Sequence, residues 1–339
     1  MIWQLDLLIL TLIVLCAIAT INVKDLLSAA IIFGAYSFLM CLLWTEMGSV
    51  DVGFTEATVG AGVGTVFFIA AIYRTTRKVK IDMDMNPSKF CALCAVSLVG
   101  IILLIAEGEF PKWADPGAPA SMHVSPHFIT QSIEETAVPN LVTSVLGDYR
   151  GFDTMFETAV IFAAGIAVFA ILRRTRREDE VETVATAESV DVYQDTIIRW
   201  ICRQMVPFMQ LFALYVVAHG HHSPGGGFQG GVILGASFIL LNMSYDMKTV
   251  LIRLNERWNI LLGNIGVFIY AGIGLLCLVL GANFLDYSAL SKILPATSSI
   301  MARSHGILGI EIGVAIAVMA IMISIYRNIA SHGEFDEGL

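Results

Sequence analysis

The sequence is poor in charge. Only 14% of its 339 residues are Asp, Glu, Lys or Arg, against about 25% in ordinary soluble domains. A soluble chain of this length must cover its surface with polar groups, and these residues cannot do so. The first residues hold no basic stretch and no small-residue cleavage site, so the amino-terminal apolar run is expected to be a span, not a leader. Iron–sulfur, haem and nucleotide motifs are missing from the sequence. Cys91-x-x-Cys94 has no second CxxC and no neighbouring histidine, and the six cysteines (16, 41, 91, 94, 202 and 277) all sit in apolar runs. That placement favours packing over redox or metal chemistry. No cofactor and no metal are expected, and the chain is expected not to be an enzyme by itself.

What the chain has is length in apolar runs. A span needs about 20 mostly apolar residues, because backbone groups in lipid must be satisfied within the helix. Nine segments qualify, at roughly 3–23, 26–45, 52–73, 90–106, 152–172, 197–218, 228–245, 259–281 and 304–326. The fold class is therefore all-α, a polytopic integral membrane protein. If the amino terminus lies outside, sixteen of the twenty basic residues fall on the inner side and only Lys112, Arg150, Lys292 and Arg303 on the outer side. The positive-inside rule selects that threading and puts the carboxy terminus inside. Two inner connections, from Arg74 to Lys89 and from Arg173 to Asp195, divide the chain into units at 1–80, 81–180 and 190–330. The second connection is expected to be a solvated linker or a short surface helix.

Ionisable side chains inside spans are expensive and mark functional positions. Glu56 lies in the third span, Asp153 and Glu157 stand one turn apart in the fifth, and Glu311 lies in the ninth. Two readings stand for these acids: members of a path for ions or protons, or protonated carboxyls kept for packing. Gly60-x-x-x-Gly64 follows Glu56 and admits a close helix neighbour. Its run VGAGVG could also host a π-bulge.

The most specific motif is HGHHSPGGGFQGGVILG, residues 219–235. Pro224 cannot continue a helix, and Gly225, Gly226 and Gly227 reach backbone angles closed to other residues. The sixth helix should end sharply there and the seventh begin at a glycine-lined turn on the outer side, formed by His219, His221, His222, Pro224, Gly225, Gly226, Gly227, Gly230 and Gly231. Gly231-x-x-x-Gly235 then offers a close-packing face. His219, His221 and His222 lack a carboxylate or cysteine at zinc-site spacing. They stand as a proton-exchanging group at a path mouth or as an interfacial cluster.

These residues resemble the modules of Mrp-type cation/proton antiporters. The 219–235 stretch looks like the proline–glycine signature of the Mrp B protein. NLVTSVLGDYRGFDTMFETAV, residues 140–160, resembles the carboxy-terminal part of the Mrp A protein. The 51–73 stretch is similar to a related module whose third helix carries an acid, and to a π-bulged small membrane protein of respiratory complex I. One departure is Phe156, where the family usually has glycine before the acid. The resemblance implies a non-catalytic membrane subunit of a multisubunit antiporter, with Glu56, Asp153 and Glu157 in or near a sodium or proton path. Its implied partners are other antiporter subunits, lipids, sodium ions and protons. A hydrogenase-like or sulfur-reductase-like redox arm is a further implied partner, because fused small modules are closer to those complexes. The alternative is a scaffold that docks antiporter subunits to such an arm. The cell membrane is the expected location, and no nucleic acid is expected to bind.

Overall fold

In the computed structural model, residues 3–79, 87–112, 115–173, 196–245, 254–295 and 297–331 are described. The long charged connection 174–195, the middle of the 74–89 connection and the basic residues Lys248 and Arg253 lie outside the described residues. The helices are α1 (Trp3–Asn22), α2 (Leu26–Glu46), α3 (Val50–Arg74), α4 (Pro87–Glu107), α5 (Ser125–Thr136), α6 (Gly151–Leu172), α7 (Thr196–His219), α8 (Gly227–Ser244), α9 (Glu256–Val279) and α10 (Ser299–Ala330). All but α5 are long and apolar enough to cross a membrane, which gives nine spans among the described residues. Each matches an expected apolar segment to within a few residues. The exception is α10, which begins five residues earlier than its apolar run suggests. At 32 residues it is about 48 Å long and outreaches a hydrocarbon core of about 30 Å.

Side-chain caps open three of the helices. Asp25 accepts from the Ser28 amide to open α2. Asn255 accepts from the Arg257 amide to open α9, and Ser298 from the Met301 amide to open α10. Each side chain satisfies an amide that the first helical turn leaves without a partner. Inside α3, residues Glu56–Gly64 form a π-helical segment between two α-helical pieces.

The core is built around α10. Its residues Ile307, Ile310, Val314 and Val318 are buried with Val232 of α8, Tyr270 of α9 and Tyr287 of a 3-10 turn. Helices α6, α8 and α9 and the second half of α3 surround it. The α9–α10 crossing is close because both helices carry glycine there: a side-chain carbon on Gly266 would lie 2.5 Å from the Gly313 carbonyl oxygen. The hairpin of α1 and α2 holds a smaller cluster of Ile9, Ile13 and Leu43. Helix α4 has no buried residue at all.

The two ends of the bundle differ. At one end, Arg77 pairs with Asp25 at 2.6 Å, and backbone bonds join Leu26 to Arg77 and Val79 to Lys24. The guanidinium of Arg77 and the Ser28 hydroxyl hold the Asp25 carboxyl well below the usual carboxylate range. Arg74 donates to the Ala330 carbonyl, and Arg173 pairs with Glu256. Arg327, one of the sixteen basic residues assigned to the inner side, is 1% exposed. It donates to the Leu254 carbonyl at 3.0 Å, and its Nε and Nη2 find no acceptor. The opposite end carries the histidine–glycine turn.

Candidate functional site

Helix α7 ends at His219 and α8 starts at Gly227, so residues 220–226 form the turn. Gly225 has φ +108°, a conformation that only glycine adopts without strain. A side-chain carbon there would also meet Val216 Cγ1 at 2.8 Å. Three parts of the chain hold the turn. From the start of α3, Asp51 Oδ1 accepts from the Gly225 amide at 3.0 Å. Asn140 donates through Nδ2 to the same Asp51 oxygen at 3.3 Å and to the Ser223 carbonyl at 3.0 Å, while its amide donates to the His221 carbonyl at 2.9 Å. Thr143 donates to the Gly220 carbonyl at 2.7 Å. From α10, Ser304 Oγ lies 3.3 Å from His221 Nδ1. Below the turn, Gln229 of α8 donates to Thr55 of α3 at 2.6 Å. Much of the polar backbone of an otherwise costly loop is thus satisfied within the chain.

The three histidines take different neighbours. His219 stacks on Tyr215 with ring centroids 4.6 Å apart and tilts against His222 at 5.7 Å. His221 turns to Ser304, and its Nε2 is buried without a partner. Burial, with His222 and His305 nearby, pushes the His221 pKa below its ordinary 6.5, so the imidazole is neutral at pH 7. Among the described residues no group of three or more His, Cys, Asp or Glu side chains is placed to hold a metal ion.

Glu311 comes up against this turn from α10. A side-chain carbon on Gly226 would sit 2.7 Å from Glu311 Oε1, one on Gly220 3.0 Å from Oε2, and one on Gly227 would strike the Glu311 backbone carbonyl. The glycines let two backbones and a carboxyl share space that any larger residue would fill. Oε2 is fully buried and has no hydrogen-bond partner. Glu56 is half-buried and opens the π segment of α3. Its carboxyl lies along Gly60, whose missing side chain would also face Ser37 Oγ of α2 at 2.8 Å. Gly64 faces no other helix: its nearest neighbour is the Val59 carbonyl of its own π segment, at 2.9 Å. Gly230 lies against Ala213 and Val217 of α7, whereas Gly231 and Gly235 lie against Ala315 and Met319 of α10. Asp153 and Glu157 stand apart from this assembly on the exposed side of α6. Asp153 pairs with Arg150 at 2.6 Å with both side chains more than half exposed, and Phe156 beside Glu157 is exposed too. Two acids escaped the sequence reading. Asp51 lies one residue outside the apolar run expected for its helix, and Asp6 of α1 has a buried Oδ1 without a partner.

Spans that carry buried carboxyls, closed at one end by a glycine turn, define a multi-pass helical membrane protein with acids inside its bundle. Residues 197–324 match the MnhB family, described as "Domain related to MnhB subunit of Na+/H+ antiporter". Residues 11–77 match the MbhD family and residues 113–189 the MbhE family, each described as a component of MBH. A probable K(+)/H(+) antiporter protein of the combined A/B type, from Rhizobium meliloti (strain 1021), is 23% identical over 329 residues, which cover 86% of this chain and 31% of that protein. A "Putative antiporter subunit mnhB2" of Staphylococcus aureus (strain Newman) is 27% identical over 136 residues, 40% of this chain and 94% of that one. The solved Mrp complex from Dietzia sp. DQ12-45-1b contains a chain that matches with a TM-score of 0.75 and 26% identity over 98% of this chain. The chain spans about a third of that chain's length, 35%, and a similar share, 31%, of the Rhizobium protein. Three family models thus match successive segments of the chain, and the proteins it resembles include antiporter subunits and a chain of an Mrp complex. Helix α4 falls between the matched segments and in none of them.

Proposed function

We propose that this chain is a non-catalytic membrane subunit of an Mrp-type multisubunit cation/proton antiporter in the cell membrane and lines part of its ion path. The supporting observation is the buried Glu311 carboxyl, set against the glycine turn of a domain whose relatives are antiporter subunits. Uncompensated carboxyls inside a span cost about 2.5–3.5 kcal/mol on insertion scales. Glu56, which opens a π segment, adds a second acid on a helix that packs against the same turn. The names of the relatives mention both sodium and potassium, so the cargo is assigned as a monovalent cation exchanged for protons. Other Mrp-type subunits are its partners, and the MBH-type domains suit a redox arm beside them. The amino terminus faces outside.

The test is Glu→Gln at 56, 157 and 311 within the complex expressed from its neighbouring genes. Gln keeps size and hydrogen bonding, so assembly survives, and cation-driven proton movement in inverted vesicles falls at least about tenfold for Glu56→Gln and Glu311→Gln. Normal transport in all three variants at normal abundance would leave only the scaffold reading.

A further inference from the structure

We infer that the cleft between α2, α3 and α7 holds one acyl chain of a bilayer phospholipid, with the phosphate of that lipid on the imidazoles of His219 and His222. The inference goes beyond the ion-path reading and stands whether or not Glu311 moves a cation.

The space itself is the first observation. Next to the glycine turn, a cleft of about 430 Å³ opens between Cys41 and Thr45 of α2, Phe54 and Ala57 of α3, and Phe212 and Tyr215 of α7. Helix α8 closes its rear, since Gln229 donates to Thr55 of α3 and Gly230 packs on Val217 of α7. The chemistry of the walls is the second. The Thr45 hydroxyl is spent on the Cys41 carbonyl at 2.8 Å, and the Ser223 hydroxyl at the turn end donates to the His219 carbonyl at 3.2 Å. Sites for polar ligands keep a few polar groups pointing inward to orient them, so what this cleft takes is hydrocarbon. Size decides which kind. Val50 to Ala57 spans about 10 Å of helix, and a partner helix about 10 Å across would occupy about 800 Å³ over that length, roughly twice the cleft. A single flexible chain fits where a helix does not. The rim is the third observation, and it selects the headgroup. His219 stacks on the wall residue Tyr215 with ring centroids 4.6 Å apart, and the His222 ring lies 5.7 Å from that of His219. Helix α7 ends at His219, so both imidazoles stand where a span meets the lipid headgroups. Tyr215 is an aromatic of the type that marks this interface. Imidazole N–H groups donate to phosphate oxygens, and the bond strengthens when the ring is protonated.

The test titrates the purified full chain in detergent with phosphatidylglycerol. Two signals are read: lipid adducts by native mass spectrometry, and the rate of alkylation at Cys41 by peptide mass. One lipid binds ahead of all others, and its binding slows the reaction of Cys41. Ala57→Phe fills the cleft and weakens that first association at least about tenfold, whereas Ala95→Phe on the exposed helix α4 leaves it unchanged. If Ala57→Phe does not fold, Val50→Trp at the exposed mouth of the cleft repeats the test. His219→Ala combined with His222→Ala weakens phosphatidylglycerol binding at least about threefold and leaves diacylglycerol, which lacks the phosphate, unaffected. In the assembled complex Cys41 is protected, and stripping lipid with detergent exposes it. A first association unchanged in both Ala57→Phe and Val50→Trp, or a Cys41 reactivity indifferent to lipid, overturns the site. Equal losses for the two lipids in the double histidine variant overturn the headgroup assignment. Protection of Cys41 that survives lipid stripping shows a neighbouring subunit in the cleft and overturns the inference as well.

Discussion

The α9–α10 crossing gives the sharpest test of how this bundle holds together. Gly266→Ala adds one carbon at a point 2.5 Å from the Gly313 carbonyl oxygen and 2.5 Å from the Ala317 amide nitrogen. Ordinary contact begins at 3.4 Å, so the two helices must part by about 0.9 Å at the crossing. Both obstacles are backbone, and no side chain can turn away to make room. Overpacking of a tight contact costs about 1–3 kcal/mol, and exchanging glycine for alanine within a helix returns about 0.5–1 kcal/mol. The net loss is centred near about 1 kcal/mol and reaches about 2.5 kcal/mol, which lowers an apparent melting midpoint by up to roughly 10 °C. Gly272 on the same helix provides the control, because a side-chain carbon there meets nothing within 4 Å. Gly272→Ala should leave the midpoint unchanged or raise it slightly. Both variants are measured in the same detergent at one scan rate, since membrane proteins often unfold irreversibly. Equal midpoints for the two variants would show that the crossing is not the tight point described above.

Other expectations follow from single contacts. Arg303 pairs at 2.6 Å with Asp148, whose side chain is only 8% exposed; Arg303→Met leaves that carboxyl buried and unpaired and should cost up to about 3–5 kcal/mol, while adding Asp148→Asn should recover most of the loss in a thermal-denaturation series. Burial lowers the His221 pKa in the folded chain, so the unfolded chain takes up the proton first; stability is complete above the ordinary value of 6.5 and falls as pH drops below it, and His221→Gln should flatten that slope between about pH 7.5 and 5.5. Tyr149 donates to Glu135, whose carboxyl is thereby held below its usual 4.5; that contribution is present above pH 4.5 and lost as pH falls through the lowered value, which hydrogen exchange over α5 would register. A cysteine at Ser121 in a cysteine-free chain should react with impermeant maleimide from outside and one at Thr183 should not; labelling at position 183 in sealed cells would reverse the proposed orientation.

The spans were legible because hydropathy over about 20 residues is a local property. The turn was legible for the same reason: Pro224 and the glycines after it act on their own backbone. The π segment could be suspected in VGAGVG, since a glycine-rich run holds the α register weakly. Partnership was not legible. Asp51 reads as a charge at a helix end until the fold brings Asn140 and Gly225 to it from 89 and 174 residues away. Arg327 reads as one more inner-side basic residue until Leu254 and its neighbours close over it. Asp153 reads as a buried acid because it follows Gly151 into an apolar run, yet Arg150 reaches it at the open helix start. The central place of α10 was equally hidden, as its hydropathy is no different in kind from that of α1, which faces outward over most of its surface.

Helix α4 packs against almost nothing among the described residues of this chain, yet the site depends on it. Asp51 at the start of α3 and Asn140 after α5 meet at the same end of the bundle. Between them α3 carries the chain to the other end, and one further crossing is needed to bring it back. Helix α4 is that crossing. Its length has to match the thickness of a bilayer, so shortening it should not be tolerated. Parity is what it supplies: with α4 removed, Asn140 would be left at the wrong face of the membrane, and the glycine turn would lose the side chain that joins it to Asp51.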